Sequence, residues 1–340
     1  MTPRRLPAGP TTLVLGLLLL AVLVLAASLG EVPLAPAAVA RAVLHRVLSF
    51  VPPANDLTTG IVWDLRLPRV LLAALVGATL SIAGVSLQGL LGNPLADPYT
   101  IGVSSGASVG AGVAILLGLG AAWGGLALPL MAFVAASLTM LLVFSIARVG
   151  GTLHTASFLL AGIIAGSFLW AVMTLLLSLA QQEQRTVLNW LMGRFTDADW
   201  PKVGLLAPLT ILGTALFMVC GRGLDAFSFG EDTARSVGVE VERFKAGILA
   251  LAALLTAASV SVSGIIGFVG LVVPHLARGM VGPPHRALVP VAALLGAILT
   301  VLADLLARLI LKGQEIPVGV VTALIGAPFF CLLLRRQMGR

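Results

Sequence analysis

The sequence has few charged residues for its length. Only 10% of its 340 residues are Asp, Glu, Lys or Arg, whereas 59% are hydrophobic. A soluble domain carries about 25% charged residues, so the surface of a soluble protein cannot be built from this composition. The apolar residues form long continuous runs, unlike the short alternating segments of a transmembrane β-barrel. The composition therefore predicts an all-α, polytopic membrane protein.

Lysine and cysteine are also scarce. The three lysines, Lys202, Lys245 and Lys312, each follow a residue other than glycine, so the Gly-Lys pair of a phosphate-binding loop is missing. The two cysteines lie at or inside apolar runs, and the four histidines are scattered without the spacing of metal ligands. These absences exclude nucleotide binding of the phosphate-loop kind. We expect neither a cofactor nor a metal in this chain.

Ten apolar segments are candidates for membrane-spanning helices, each of which needs about 20 residues. They lie near residues 11–30, 66–91, 99–118, 122–148, 153–180, 201–220, 243–262, 265–280, 286–310 and 317–335. We expect residues 1–340 to form one transmembrane domain. The segment 265–280 is the shortest and contains Pro274, which suggests a broken or partial span. Segment 186–196 is too short to span and is either an interfacial helix or a plain loop.

The net charge of +7 comes from basic residues dispersed at the ends of the apolar runs. Such residues set the orientation of a membrane protein, and we expect no nucleic-acid partner. Both terminal tails are purely basic, whereas the segments assigned to the outside also carry acids. With ten spans the two termini share one side, so this charge distribution favours a cytoplasmic position for both.

Polar residues stand out where they interrupt or border the apolar runs. Asp304 and Arg308 lie four residues apart inside one run, so they either neutralise each other or leave Arg308 available at the outer mouth. Arg66 and Arg69 precede a span and are either lipid-headgroup anchors or, with Arg308, a positive rim for an acidic partner. A secondary transporter needs carboxylates within its spans, and only Asp304 qualifies.

Two further segments carry recognisable patterns. Gly102, Gly106 and Gly110 repeat at a spacing that lets helices pack closely, either around a pathway or as ordinary bundle packing. Gly102–Gly106 also matches the G-x-S-x-G nucleophile pattern, but it opens an apolar helix and lacks the strand-turn-helix context.

Residues 229–241 are polar and predict a short helix, with Glu231 and Asp232 at its start and Gly238 at its end. This helix is either a docking element or a solvated loop helix.

Several motifs occur in order from about residue 60 to the C-terminus. They are Arg66-Leu-Pro-Arg69, Gly92-Asn-Pro-Leu-Ala-Asp-Pro98, Gly102-Val-Ser-Ser-Gly106, Phe229-Gly-Glu231 with Ala234-Arg235, Gly264-Ile-Ile-Gly-Phe-Val-Gly-Leu-Val-Val-Pro-His275, and Pro317-Val-Gly-Val-Val-Thr-Ala-Leu-Ile-Gly-Ala-Pro328. Together they resemble the FecCD family, the permeases of type II ABC importers for iron-siderophores, haem and vitamin B12. Residues 1–60 match it only in hydropathy.

The resemblance implies a fold like that of the vitamin B12 importer permease, with about ten transmembrane helices per subunit. It implies a homodimer in the cytoplasmic membrane, with both termini cytoplasmic. Two ATPase subunits, which bind ATP and magnesium, and one periplasmic or lipid-anchored substrate-binding protein would complete the importer. The chain itself would then be a transport subunit and not an enzyme.

The resemblance also assigns roles to particular residues. Docking of the binding protein would involve Arg66, Arg69 and Arg308. The cytoplasmic gate would involve Asn93, Leu95, His154, Thr155 and Ala156, although the family can have a hydroxyl pair where this chain has Thr155 followed by Ala156. Coupling to the ATPase would involve a helix at about 230–239, with Gly230, Glu231, Asp232, Ala234, Arg235 and Gly238.

Overall fold

The computed structural model describes residues 6–30, 32–48, 55–149, 152–311 and 313–338. Most of these residues are helical, which confirms the predicted all-α class. The helices are α1 (Ala8–Ser28), α2 (Pro36–Val47), α3 (Asp56–Gly60), α4 (Leu67–Leu91), α5 (Val103–Leu116), α6 (Ala127–Ala147), α7 (Thr155–Leu179), α8 (Gln184–Leu191), α9 (Trp200–Val219), α10 (Gly221–Phe227), α11 (Glu231–Ser236), α12 (Val241–Ser263), α13 (Val269–Val281), α14 (His285–Leu309) and α15 (Val318–Met338). Two-residue strands β1 (Arg148–Val149) and β2 (Thr152–Leu153) pair antiparallel between α6 and α7.

Among the described residues, seven helices are long and apolar enough to cross a membrane, judged by length and composition. They are α1, the continuous helix Asp56–Leu91 that contains α4, α6, α7, α9, α12 and α14. Three shorter apolar helices occupy Val103–Leu116, Val269–Val281 and Val318–Leu332. A helix therefore lies over each of the ten predicted segments, while the number that cross the bilayer stays a prediction.

Two helices begin later than the sequence predicts. The segment expected at 99–118 starts with a 3-10 turn, Pro98–Ile101, and Gly102 has a φ of +83°, so α5 begins only at Val103. The segment expected at 265–280 begins as α13 only after Phe268, which has a φ of +67°. Both residues adopt the left-handed conformation, which interrupts a right-handed helix.

The region before the second predicted span contains helices that the hydropathy pattern did not indicate. Helix α2 and helix α3 lie here, and a π-helical turn, Ile61–Arg66, joins α3 to α4. Pro68 follows this turn and has no backbone N–H to continue the α-helical bonding pattern. The turn and the proline together set the positions of Arg66 and Arg69 at the start of α4.

Helix α4 is the centre of the bundle. In an apolar 18-residue stretch of the continuous helix that contains α4, 89% of the residues are buried. The corresponding share for α7 is 22%. It packs against α9, α12, α13 and α14. Helices α1, α6 and α7 lie further out and expose large apolar side chains, as expected for surfaces that face lipid or a second protein.

Glycines on α4 allow its neighbours to approach at backbone distance. A Cβ added to Gly77 would lie 2.2 Å from the carbonyl oxygen of Gly296 on α14. A Cβ added to Gly84 would lie 1.9 Å from the carbonyl oxygen of Gly270 on α13. Such close contact supplies van der Waals attraction that lipid cannot replace. Helices α4, α13 and α14 therefore form a tightly packed unit.

We predict that Gly84→Ala destabilises the protein, because the new methyl group meets a backbone oxygen that cannot rotate away. Overpacking typically costs 1–3 kcal/mol, and here this exceeds the gain of about 1 kcal/mol in helix propensity. Thermal unfolding of the purified protein in detergent measures the effect. Gly204→Ala on α9 is the control, since nothing lies within 4 Å of its added Cβ; equal melting temperatures for both variants would contradict the packing argument.

Candidate functional site

A buried carboxylate near the end of α14, beside the start of α4, organises one end of the molecule. Asp304, whose side chain is 1% exposed, accepts hydrogen bonds from Arg69 Nη2 at 2.8 Å and Arg69 Nε at 3.1 Å. Arg308 Nε lies 3.1 Å from its other oxygen, Oδ2. An ionised group removed from water requires such partners. Asp304 is therefore held by two arginines, one of which comes from α4.

Two arginines, Arg66 and Arg308, contact the end of α1. Arg66 donates from Nη1 to the carbonyl oxygens of Ala27 (2.8 Å) and Ser28 (3.1 Å). Arg308 donates from Nη2 to the carbonyl oxygen of Ala26 (3.2 Å). The last carbonyls of a helix lack partners within the helix and carry its partial negative charge, so guanidinium groups stabilise them. Two of the three predicted docking arginines thus anchor α1.

A fifth charged side chain completes this cluster. Glu315, in the loop before α15, forms a bidentate ion pair with Arg69. The Nη1–Oε1 distance is 2.9 Å and the Nη2–Oε2 distance is 3.1 Å. Burial on its own raises the pKa of Glu315, but the hydrogen bonds and charge of Arg69 outweigh this, and its pKa lies below the usual value. Glu315 is therefore ionised at neutral pH.

Arg66, Arg69, Arg308 and Glu315 line one open cleft of about 760 Å³, which we call the arginine cleft. The structure thus brings the three arginines together, while their role in docking stays a prediction. Arg308 pairs with Asp304, and its side chain, which is 9% exposed, lines the cleft. With Asp304 included, three cations face two carboxylates, which leaves the cleft with one net positive charge.

The predicted gate residues occupy two segments at the opposite end of α4. Asn93 Oδ1 accepts from the backbone N–H of Leu95 at 2.9 Å, and this fixes the turn after α4 and leaves the Leu95 side chain exposed. The loop then continues to Tyr99, whose hydroxyl donates to the carbonyl oxygen of Ile266 at 3.0 Å and accepts from the Ile266 N–H at 3.2 Å. The first gate segment is thereby tied to the chain that precedes α13.

The second gate segment follows the β1–β2 hairpin. His154 occupies the N-cap position of α7, and its Nε2 lies 3.1 Å from Thr152 Oγ1. Thr155 and Ala156 lie in the first turn of α7. The two segments are connected by packing of the 3-10 turn on α7, where a Cβ on Gly162 would lie 2.8 Å from the carbonyl oxygen of Thr100. Both predicted gate segments are therefore attached to the first half of α7.

The predicted coupling helix is α11. Its start and end are set by Gly230 and Gly238, whose φ angles are +106° and +87°, and Ala234 on its inner face is fully buried. Its outer face carries the exposed ion pair Asp232–Arg235 at 3.2 Å. Glu231 instead turns inward to Lys245 Nζ, with Oε1 at 3.0 Å. Lys245 is on α12 and its side chain is 5% exposed.

Some residues of these sites were not foreseen from the sequence. Glu315 lies in a loop far from Arg69 in the chain, and no local pattern connects them. Lys245 reads as an ordinary cation at the start of a span, and only the fold shows that it is buried. Phe229, at 80% exposed, is a large aromatic side chain in front of α11. Its position in a polar loop is a signal that sequence reasoning could have used.

Comparison with known proteins assigns the family. The model of the FecCD transport family matches residues 18–336. YvrB of Bacillus subtilis, named as an uncharacterized ABC transporter permease protein, is 45% identical over 95% of this chain and 93% of its own length. The cobalamin import system permease protein BtuC of Halobacterium salinarum is 44% identical over 81% of this chain and 73% of its own length.

The fold agrees with that assignment. A solved structure described as an inward-facing, metal-chelate type ABC transporter superposes with a TM-score of 0.81 and 31% identity, covering 96% of this chain and 98% of the other. Residues 18–336 include the arginine cleft, both predicted gate segments and α11. This chain is an integral membrane protein and belongs to the FecCD transport family.

Proposed function

We propose that this chain is the permease subunit of an ATP-binding-cassette importer in the cytoplasmic membrane. Its cargo would be an iron chelate, either a ferric siderophore or haem, or cobalamin. The relatives support this class, since one is named a cobalamin permease and the structural neighbour is described as a metal-chelate transporter. Separate ATPase subunits would bind ATP and magnesium and drive transport, so this chain would catalyse no reaction and hold no cofactor.

The observation that carries the proposal is the placement of polar groups at opposite ends of one packed unit. The 25 residues of α4 extend about 37 Å at roughly 1.5 Å per residue. Arg69 at its start contacts Asp304 near the end of α14, and a Cβ on Gly89 near its end would lie 2.1 Å from His285 at the start of α14. The arginine cleft and the α10–α11 region therefore occupy opposite ends.

Such an arrangement suits a protein that receives cargo at one end and a driving force at the other. The arginine cleft carries positive charge for an acidic surface of a periplasmic or lipid-anchored binding protein. At the opposite end, the exposed Phe229 and the exposed Val237 flank α11 and give it an apolar contact surface for an ATPase. Two copies of the chain, two ATPases and one binding protein would form the importer, with both termini of each copy cytoplasmic.

An ion-coupled secondary transporter is the alternative. It would need a carboxylate within the spans that binds and releases a coupling ion. Asp304 is the carboxylate that the sequence offers, and both of its oxygens are within 3.2 Å of an arginine nitrogen. A coupling ion would have to displace these guanidinium groups, so the ion pairs favour the importer.

Reconstituted transport tests the proposed function. The chain should copurify with an ATP-binding-cassette ATPase from the same gene cluster and, in proteoliposomes with a cognate binding protein, should take up haemin, a ferric siderophore or cyanocobalamin only when ATP is supplied. The control is the same complex with a hydrolysis-deficient ATPase, which should not transport. Uptake that follows an ion gradient and needs no ATPase would contradict the importer and favour the secondary transporter.

Reversing charge in the arginine cleft should weaken docking of the binding protein. We expect Arg66→Glu with Arg69→Glu to raise the dissociation constant on the order of tenfold or more, with a larger change at low salt because ions screen exposed charges. Biolayer interferometry on the permease in nanodiscs measures this. Arg41→Glu on α2 is the control for a general loss of positive charge. Unchanged affinity at low salt would remove the docking role.

Removing Glu315 should have the opposite effect. Its carboxylate occupies Arg69 in the free permease and would compete with an acidic residue of the binding protein. We therefore expect Glu315→Gln to tighten docking by a few-fold, consistent with the 0.2–1 kcal/mol typical of a partly exposed ion pair. The same interferometry measures it, with Asp197→Gln as a control in a neighbouring exposed pair. Weaker docking would mean that Glu315 orients Arg69 for its partner.

A further inference from the structure

Lys245 connects the coupling helix to the second gate segment through direct contacts. Its Nζ donates to the carbonyl oxygen of Leu153 at 2.8 Å. It also lies 3.0 Å from Glu231 Oε1 on α11 and 3.2 Å from Glu242 Oε1 on its own helix. A lysine ammonium has three hydrogen-bond donors, so these three partners account for all of them.

Leu153 is held at both its backbone N–H and its backbone carbonyl. While its carbonyl accepts from Lys245, its backbone N–H donates to Glu242 Oε2 at 2.7 Å. Its side chain is 3% exposed. The next residue is His154, the N-cap of α7, and the segment 154–156 is the second predicted gate. A displacement of Leu153 therefore moves the start of α7.

The three contacts differ in how freely they can move. Lys245 is 5% exposed at its side chain, whereas Glu231 and Glu242 are 43% and 37% exposed. Separation from Glu231 would leave the buried ammonium with one carboxylate partner, Glu242, instead of two. Because that loss is costly for a buried charge, Lys245 should follow Glu231 when α11 shifts. The exposed pair Asp232–Arg235 on the outer face of α11 contacts solvent and provides no such connection.

We propose that Lys245 is the positioning residue that transmits displacement of α11 to the second gate segment. The proposal rests on the proposed function, in which an ATPase binds and moves α11. Movement of α11 shifts Glu231, Lys245 follows because of the ion pair, and the Leu153 carbonyl follows Lys245. The nucleotide effect on the second gate segment should therefore depend on this contact.

Hydrogen–deuterium exchange on the assembled permease–ATPase complex in nanodiscs tests the relay. Exchange of peptides that cover 152–160 and 231–236 is compared without nucleotide and with ATP and magnesium on a hydrolysis-deficient ATPase. In the wild type, nucleotide should change exchange in both regions. In Lys245→Met, the change at 231–236 should remain and the change at 152–160 should be lost. Arg243→Met is the matched control, because it removes an exposed cation two residues earlier on α12.

A second variant separates transmission from folding. Glu231→Ala removes the α11 contact but leaves Lys245 bonded to Leu153 and Glu242, and it should likewise abolish the response at 152–160. Its control is Glu240→Ala, which removes an acid from the exposed Glu240–Arg243 pair. If Glu231→Ala keeps the full nucleotide response at 152–160, Lys245 only stabilises the β1–β2 hairpin, and the proposed transmission from α11 is overturned. If α11 of the wild type does not respond to nucleotide, the proposed function is overturned as well.

Discussion

A charge buried in a helical membrane protein must be paired, and this constraint organises both ends of the molecule. Asp304 lies between Arg69 and Arg308 near one end, and Lys245 lies between Glu231, Glu242 and the Leu153 carbonyl near the other. Each buried charge joins elements that are far apart in the sequence. The ion pairs therefore fix the geometry of the two ends, because the chain has few other charged residues.

Between these ends the structure relies on close backbone packing. Gly77 and Gly84 let α14 and α13 approach α4 so closely that a side chain at either position would collide with a carbonyl group. A unit packed in this way resists internal deformation, so a change at one end is expressed as movement of whole helices. Helix α7 is less buried than α4 and starts at the second predicted gate segment. It is thus better suited than α4 to move relative to the rest.

The sequence was informative where function depends on local patterns. Low charge and long apolar runs were sufficient for the all-α membrane class, and ordered motifs such as Arg66–Arg69 were sufficient for the family. The segments predicted near 99–118 and 265–280 become helical only at Val103 and Val269, because Gly102 and Phe268 adopt left-handed conformations that hydropathy does not register. Glu315 and Lys245 were missed because their partners are set by tertiary contact, which no single segment encodes.

The most direct test of this view is a cryo-EM structure of the permease bound to its ATPase, with and without an ATP analogue. We predict that the ATPase contacts α11 and the neighbouring Phe229, that the arginine cleft lies at the far end, and that Leu153 shifts together with α11 when the analogue binds. An ATPase seated away from α11, or a shift of α11 that leaves Leu153 in place, would contradict it.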